Sequence, residues 1–568
     1  MTIMGARHVI SAGHYLAAHA GFMILEAGGN AIDAGVAAGI AIDVLQTDRV
    51  SFGGVAPQMI YLAKSRSVQS IDGLGVWPKA ITPDYFLKTH GGLIPPGVER
   101  CIVPAAPDAW ITALEHFGTM SFGEVAAAAI RFATEGYPMY PALTRFLTNN
   151  RARYERWPSS AKVFLPRGRV PQPGELFVQT DLGRTLIFLA DEEKRAARRK
   201  GRKAGLAAVR SAFYRGDIAA EIVKFIRAQG GFMSREDLAE YRVSFEPTLK
   251  TRFAGIELHA CGPWSQGPVL PMALNILKGY DLASLGHNSP EYIHLLVEAL
   301  KLAFADRHNH VGDPKFVKVP IRGLLSERYA AHRRSLIDPA KAWAEMPPAG
   351  DPRTLSEIAN RWMPPPETEH GPGPGDTSYI CVVDKDRNAF SATPSDGSDQ
   401  TPTIPGVGIV CSGRGTQSWA EPDHPASVAP GKRPRLTPNP ALAFKNGELL
   451  MPFGTPSGDV QPQAMLQVFL NINVFGMAAQ DAVEAPRFAT YSFPGSFQPH
   501  PYFPGRLQIE NRIDSAVSDA LERRGHKVFR WGDWTPRAGS VCAIVNDRKH
   551  GVLHGGADPR RPAYVLGW

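Results

Sequence analysis

The chain has 568 residues, of which 44% are hydrophobic and 20% charged, and its formal net charge is +8. This composition is typical of a globular protein with a large core, and it excludes a disordered or low-complexity chain. The five cysteines are widely scattered without a CxxC pair, which excludes a zinc ribbon and a disulfide framework.

A run of basic residues carries much of the positive charge: Lys194, Arg195, Arg198, Arg199, Lys200, Arg202 and Lys203. Such a run could bind nucleic acid, but interleaved alanine and glycine without an aromatic residue favour a solvated insertion. We therefore expect no nucleic-acid partner. Met1 to Gly13 contains no secretory signal and no apolar run reaches about eighteen residues, so we expect no membrane partner. With free thiols, this predicts a cytoplasmic protein.

Hydrophobic periodicity predicts the first elements in chain order. They are a helix from about His14 to Ala27, a buried helix from Ala31 to Leu45, a hairpin of Gln58–Leu62 with Val68–Ile71, and mostly helix from Asp108 to about Ile337. Within this last region, Ser289-Pro290-Glu291 predicts a helix start, because it supplies an N-cap hydroxyl, a first-turn proline and an acid.

The composition changes after the helical region. Residues 346–375 are rich in proline and glycine, which predicts an exposed linker without helix or sheet. Strands follow it: Tyr379–Val383 pairing with Ala389–Thr393, a hairpin at Asn446-Gly447 between 441–445 and 448–453, and a pair formed by 540–545 and 551–554.

Common catalytic motifs are absent from the sequence. It has no GxSxG, HExxH or GxxxxGK[ST] pattern. His294 and Glu298 stand four residues apart, with His308 and His310 beyond, but no third ligand has a fixed spacing. We interpret these histidines as structural or exposed and expect neither a metal nor a cofactor.

The junction Gly375-Asp376-Thr377-Ser378 places a small hydroxyl residue where the linker meets a strand. Cleavage of the Asp376–Thr377 bond would give Thr377 a free α-amine beside its hydroxyl. An α-amine has a pKa of about 7.7–8.0, which suits a general base near neutral pH. One residue would then supply nucleophile and base, as in N-terminal nucleophile hydrolases.

Ordered blocks along nearly the whole chain carry a family resemblance. They include AHAGFMILEAGGNAIDAG, SPEYIHLLVEALKLAFADRHNHVGDP, GDTSYICVVDKDRNAFSAT, GTPSGD and GGADPRRPAY. The chain resembles the γ-glutamyltranspeptidase family. This resemblance implies an α+β fold, a four-layer αββα sandwich, cut into a large subunit (1–376, with linker 346–376) and a small subunit (377–568). It also implies a heterodimer of these two subunits and allows a dimer of such heterodimers.

The resemblance also implies roles for individual residues. Thr377 matches the nucleophile and new N-terminus, and Ser395 matches a hydroxyl that hydrogen-bonds the α-amine. GTPSGD matches the oxyanion-hole loop, with Ser457 and Gly458 where the family has two glycines. Serine is tolerated there if its backbone reaches the required conformation, since backbone N–H groups bind the oxyanion.

Departures from the family cluster at the predicted substrate-binding positions: Leu74 in place of a carboxylate-binding arginine, Gly397 in place of an asparagine, Thr416 and Gln417 in place of an acidic pair, and Thr437 in a segment of paired serines. Leucine cannot form a bidentate salt bridge, so the usual glutamyl contact is lost. Arg414 is either a replacement cation for an acidic substrate or an exposed surface residue.

The sequence therefore predicts a self-cleaving amidohydrolase or acylase that works through an acyl-threonine intermediate on a small-molecule amide. Two alternatives stay open. One is a true γ-glutamyltransferase or glutathione hydrolase, and the other is a non-processing, non-catalytic family member.

Overall fold

In the computed structural model, which describes residues 2–367 and 376–568, two antiparallel seven-stranded sheets lie face to face. The first sheet contains, in spatial order, Ile3–Gly5, Val552–Ala557, Cys542–Asp547, Glu448–Gly454, Ala441–Lys445, Ile256–Ala260 and Leu249–Phe253. The second contains Tyr564–Gly567, Val9–Ala12, Ile380–Val383, Ala389–Ala392, Gln58–Leu62, Ser67–Ile71 and Phe245–Glu246.

Alternation along the strands creates separate cores on the two faces of each sheet. In Ile380–Val383, Cys381 and Val383 enter the core between the sheets, whereas Ile380 and Val382 enter the core under the helices. All four residues are fully buried. A strand covered on both faces reads as a continuous apolar run, which is the pattern of this segment.

Helices cover both outer faces and complete the four layers. Those on the second sheet's side are Tyr15–Glu26, Ala31–Leu45, Ala106–Phe117, Phe122–Thr134, Pro141–Asn149, Arg151–Glu155, Pro158–Phe164, Thr180–Lys200, Arg202–Tyr214, Asp217–Ala228 and Arg235–Glu240. Those on the first sheet's side are Val269–Leu277, Pro290–His310, Ile321–Leu324, Glu327–Ser335, Gln461–Asn473, Ala479–Glu484 and Ser515–Arg523. The predicted αββα sandwich is confirmed.

Most predicted elements are also confirmed. The first helix is Tyr15–Glu26 and the second is Ala31–Leu45. The Ser289 side chain caps the helix Pro290–His310, as predicted. Asn446-Gly447 joins a hairpin with positive φ at both residues, 53° and 77°, which is the geometry of a type I′ turn.

Two expectations are corrected. The strands Leu249–Phe253 and Ile256–Ala260 lie inside the region predicted to be mostly helical, since five-residue alternations are too short to stand out among long helical patterns. Within the predicted linker, Ala349–Gly350 pairs with Glu357–Ile358 and is buried. Tertiary contacts hold this short pairing, as the Gly350 N–H donates to Asp306 at 2.9 Å. Residues 368–375 of the linker lie outside the described residues.

The basic run lies at the end of Thr180–Lys200 and the start of Arg202–Tyr214, where most of its side chains are exposed. Arg202 instead donates to the carbonyls of Met120 and Leu114. None of the helices in the described ranges has an apolar stretch of membrane-spanning length.

Candidate active site

Thr377 lies just before the strand Ile380–Val383 and its side chain is buried. Its backbone has φ of 98°, which is a genuine outlier for a β-branched residue. Such a conformation costs on the order of 1–3 kcal/mol and persists only where the surroundings impose it. Here the Thr377 N–H donates to Arg49 O at 3.2 Å, and the Ser378 N–H donates to Pro394 O at 3.0 Å. The strain therefore lies at the predicted scissile bond.

Two side chains and one backbone N–H surround the Thr377 hydroxyl and the residue before it. The Oγ atoms of Thr377 and Ser395 are 2.6 Å apart. Arg414 donates from Nη2 to Asp376 Oδ2 at 2.6 Å and also contacts the Ser395 hydroxyl. The Gly397 N–H donates to the same Asp376 oxygen at 3.4 Å. The segments around 377, 395 and 414 thus meet at one point.

The GTPSGD loop approaches the carbonyl of Asp376. The Ser457 N–H donates to Asp376 O at 3.4 Å, so a backbone donor faces the carbonyl that Thr377 would attack. Ser457 adopts φ of 92°, the left-handed region that glycine favours. Its hydroxyl accepts from Arg561 at 2.6 Å and donates to Pro536 O at 3.2 Å, which fixes this conformation. Gly458 opens a 3-10 turn, where backbone N–H groups lack intrahelical partners.

Sequence reasoning missed Arg561 and Asp396. Arg561 joins the oxyanion loop to the nucleophile, because it also donates to Thr377 O at 3.3 Å. Asp396 is 3.3 Å from Arg414 Nε and accepts from the Ser412 hydroxyl at 2.7 Å. Burial raises the pKa of Asp396 to about 6, although Arg414 and Ser412 oppose the rise. The GGADPRRPAY block was a signal for Arg561, but nothing in the sequence gave its contacts.

A cavity of about 770 Å³ opens onto Asp376, Arg414, Ser457 and Gly458, within the size range of small-molecule sites. Part of its lining is aromatic and proline-rich: Tyr491, Phe493, Phe497, Pro499, Pro501 and Phe503. The lining also contains arginines and further apolar residues: Leu93, Ile94, Pro95, Pro96, Arg100, Phe146, Arg153 and Arg156. Asp376 lines this cavity, and the buried hydroxyl of Thr377 donates to its carboxylate at 3.3 Å.

Comparisons with known proteins match the whole chain. A family model described as gamma-glutamyltranspeptidase matches residues 17–568. The glutathione hydrolase-like YwrD proenzyme of Bacillus subtilis (strain 168) is 31% identical over 100% of this chain and 99% of its own length. The chain belongs to the gamma-glutamyltranspeptidase family.

Two further relatives support this assignment. The acylase ACY 1 proenzyme of Pseudomonas sp. (strain SE83) is 32% identical over 97% of this chain and 92% of that protein. A crystal structure of cephalosporin acylase from Bacillus halodurans has a TM-score of 0.86 at 29% identity, covering 100% of this chain and 97% of that chain. The predicted class, a hydrolase or transferase acting on amide bonds, is thereby confirmed.

Some family positions lie away from the cavity in this chain. Leu74 is fully buried in the core between the sheets, where its side chain packs among apolar residues. It does not line the cavity among the described residues. Gln417 donates to the Thr437 hydroxyl at 2.8 Å, and both residues are buried. The two polar side chains therefore serve as hydrogen-bond partners for each other. Neither Gln417 nor Thr437 lines the cavity among the described residues.

Other family positions do reach the site. Thr416 lines the cavity, and the Gly397 backbone contacts the Asp376 carboxylate. Arg414 is only 1% exposed, so its interpretation as a surface residue is wrong. Burial alone would lower the pKa of Arg414, but Asp376 and Asp396 raise it. The guanidinium is therefore a fixed positive charge inside the site.

A histidine cluster lies elsewhere in the fold. His294, Glu298 and His526 place potential ligand atoms within 4.8 Å of one another, so a third group absent from the local sequence does exist. However, Glu298 accepts from Lys301 Nζ at 2.8 Å and from the Trp343 N–H at 3.1 Å. A buried ammonium beside the carboxylate disfavours a cation, and the cluster is best described as a hydrogen-bonded core network.

Proposed function

We propose that this chain cleaves its own Asp376–Thr377 bond and then hydrolyses a small-molecule amide with Thr377 as nucleophile. One observation carries the proposal: the Ser457 N–H faces the Asp376 carbonyl at 3.4 Å, next to the Thr377 hydroxyl. A backbone donor at that position stabilises the negative charge that develops when the hydroxyl attacks. The 3.4 Å distance is long, as such contacts often are before the transition state forms.

Self-cleavage begins with attack of Thr377 Oγ on the Asp376 carbonyl carbon, an N→O acyl shift. Ser395, at 2.6 Å, is placed to hydrogen-bond the attacking hydroxyl, and the backbone strain at Thr377 is released when its amide bond breaks. Water then hydrolyses the ester and leaves a free α-amine on Thr377.

In the cleaved enzyme, the α-amine of Thr377 takes the hydroxyl proton while Oγ attacks the substrate amide. The amine protonates the departing nitrogen, and water releases the acyl group. Loss of one oxyanion donor costs roughly 3–4 kcal/mol in well-studied hydrolases. Arg561 positions this donor, since it holds both Ser457 and the Thr377 carbonyl.

The assembly and location are also proposals. After cleavage, one heterodimer is formed by the large subunit 1–376 and the small subunit 377–568. Two such heterodimers can associate into a dimer. The protein acts in the cytoplasm. The five buried cysteines, none in a disulfide, support a reducing compartment.

The test is turnover of acyl p-nitroanilides by the wild type and by Thr377→Ala. We expect the wild type to release nitroaniline and the variant to release none, because the variant lacks the nucleophile. The panel includes γ-glutamyl p-nitroanilide, and faster release from it than from all other acyl groups would favour the γ-glutamyltransferase alternative. An active Thr377→Ala enzyme would refute the nucleophile assignment.

A further inference from the structure

During self-cleavage, the first acyl group attached to the nucleophile is that of residue 376. After the N→O shift, the carbonyl carbon of Asp376 is esterified to Thr377 Oγ, beside the Ser457 N–H. Turnover of an amide would form the same ester with the same nucleophile and the same oxyanion donor. The contacts of Asp376 therefore indicate which acyl groups fit the acyl-enzyme.

The Asp376 carboxylate lies in a site built for an anion. Arg414 Nη2 donates to Oδ2 at 2.6 Å and the Gly397 N–H donates to the same oxygen at 3.4 Å. The Ser395 hydroxyl is 3.5 Å from Oδ1. Arg414 itself is 1% exposed and lies 5.3 Å from the ring centre of Phe497. A buried guanidinium of this kind is costly without a carboxylate partner.

Cleavage would empty this site. Thr377 meets a substrate only after Asp376 has left the acyl position, and Arg414 Nη2 then loses its carboxylate acceptor. Arg414 keeps Asp396 at 3.3 Å through Nε, but the donors that held Asp376 are left to bind an incoming anion. To occupy the same position, the incoming carboxylate must be as many carbons away from the acyl carbonyl as the side-chain carboxylate of Asp376 is from its own carbonyl.

We propose that the mature enzyme prefers a short dicarboxylic acyl group of succinyl length, whose free carboxylate binds Arg414 and the Gly397 N–H. Two carbons separate the two carboxyl carbons of succinate, as Cα and Cβ separate the carbonyl and carboxylate carbons of Asp376. A malonyl group is one carbon too short, and a glutaryl group is one too long. This inference rests on the proposed function.

The reaction balances without a further reactant. The Thr377 Oγ–C bond forms as the amide C–N bond breaks, and the hydroxyl proton passes through the α-amine to the departing amine. Water then splits the ester, which restores the hydroxyl and releases succinate. The cavity of about 770 Å³ beside the acyl site has room for an aryl amine.

The first experiment measures kcat/KM of the processed enzyme for succinyl, malonyl, glutaryl and butyryl p-nitroanilides. Butyryl has the same carbon count as succinyl but lacks the charge. We expect kcat/KM for the succinyl amide to exceed that for the butyryl amide by about 10- to 100-fold, the range that hydrogen bonds to a charged group contribute. It should also exceed the values for both other dicarboxylic acyl groups.

Arg414→Gln should bring the succinyl-to-butyryl ratio of kcat/KM close to one. Arg156→Gln removes a cavity arginine that does not contact Asp376, and should change that ratio by less than about twofold.

The second experiment covers the case in which Arg414→Gln is not processed. Succinate should raise the melting temperature of the processed wild type, whereas butyrate should not. The unprocessed Thr377→Ala chain keeps Asp376 on Arg414, so succinate should leave its melting temperature unchanged.

The outcomes separate the two proposals. Equal kcat/KM for butyryl and succinyl amides, or an equal succinate shift in Thr377→Ala, would overturn the acyl preference while the amidohydrolase assignment stands. A processed protein that hydrolyses none of the amides would overturn the proposed function, and the acyl preference with it.

Discussion

At the residue scale, strained backbone surrounds the predicted nucleophile. Thr377, Asp396 and Ser457 have φ of 98°, 106° and 92°, each at a cost on the order of 1–3 kcal/mol for a residue other than glycine. The contacts of Arg414 and Arg561 keep two of them in place: Arg414 pairs with Asp396, and Arg561 binds the Ser457 hydroxyl. In this conformation the Ser457 N–H faces the carbonyl of Asp376, at the bond before Thr377.

The pKa of Asp396, raised to about 6 mainly by burial, predicts a pH dependence of anion binding. Below pH 6 this carboxyl is neutral, so Arg414 has one anionic neighbour fewer and binds succinate more tightly. Asp396→Asn should therefore bind succinate about fivefold more tightly than the wild type at pH 7.5. Isothermal titration at pH 7.5 and pH 5 checks this, with the difference shrinking at pH 5.

Titration of succinate itself affects its binding to both proteins equally. It therefore cancels in the ratio of the two association constants, that of Asp396→Asn over that of the wild type. A ratio that is constant between the two pH values would contradict the role given to Asp396.

The sequence allowed part of this site to be predicted. Thr377, Ser395 and Ser457 stand in local motifs, so their positions could be carried over from a family. Arg561 also stands in such a motif, but its contact with Thr377 could not be predicted, because the two residues are 184 positions apart in the chain. The burial of Arg414 and of Leu74 depends on packing between segments, which no local pattern records.

At the element scale, the helix Ala31–Leu45 supports the strands that carry the site. All of its residues are buried, and it packs on the strands Ile380–Val383 and Ala389–Ala392. A Cβ at Gly35 would lie 2.1 Å from the ring of Phe390. Glycine therefore permits the close approach of this helix to the strand that leads to Ser395.

We predict that Gly35→Ala lowers the free energy of unfolding by about 1–3 kcal/mol, because the added methyl overpacks the helix–strand contact. Gly123→Ala is the matched control, since its Cβ meets atoms no closer than 3.5 Å. That variant should be neutral or stabilised by up to about 1 kcal/mol, the helix preference for alanine. Thermal unfolding of both variants is the measurement, and equal destabilisation would contradict the packing argument.

Elements with strong local signals were predictable and short ones were not. The Asn446-Gly447 hairpin follows from two residues that tolerate positive φ. The strand Leu249–Phe253 has only five residues and is exposed at alternate positions, so its pairing with Ile256–Ala260 is decided by the neighbouring sheet. The pairing of Ala349–Gly350 depends on packing against Asp306 in the same way.

At the scale of the whole molecule, the two predicted subunits share both sheets. In the second sheet, Val9–Ala12 lies between Tyr564–Gly567 and Ile380–Val383, and Ala389–Ala392 pairs with Gln58–Leu62. In the first sheet, Ala441–Lys445 pairs with Ile256–Ala260. Separation of the subunits would break these ladders and expose the central core.

We therefore predict that the cleaved chains stay together under native conditions. They should elute as one species in size-exclusion chromatography and native mass spectrometry, and separate only under denaturing conditions. Elution of the two chains as separate folded species would contradict the interleaved sheets.

The most direct test of the account is intact mass and N-terminal sequencing of purified wild type and Thr377→Ala. We predict that the wild type yields two chains, one beginning Thr377-Ser378-Tyr379, while the variant remains a single chain of 61.7 kDa. A wild-type chain that stays uncut over days, or a variant cut at the same bond, would contradict the central claim that Thr377 cleaves its own precursor.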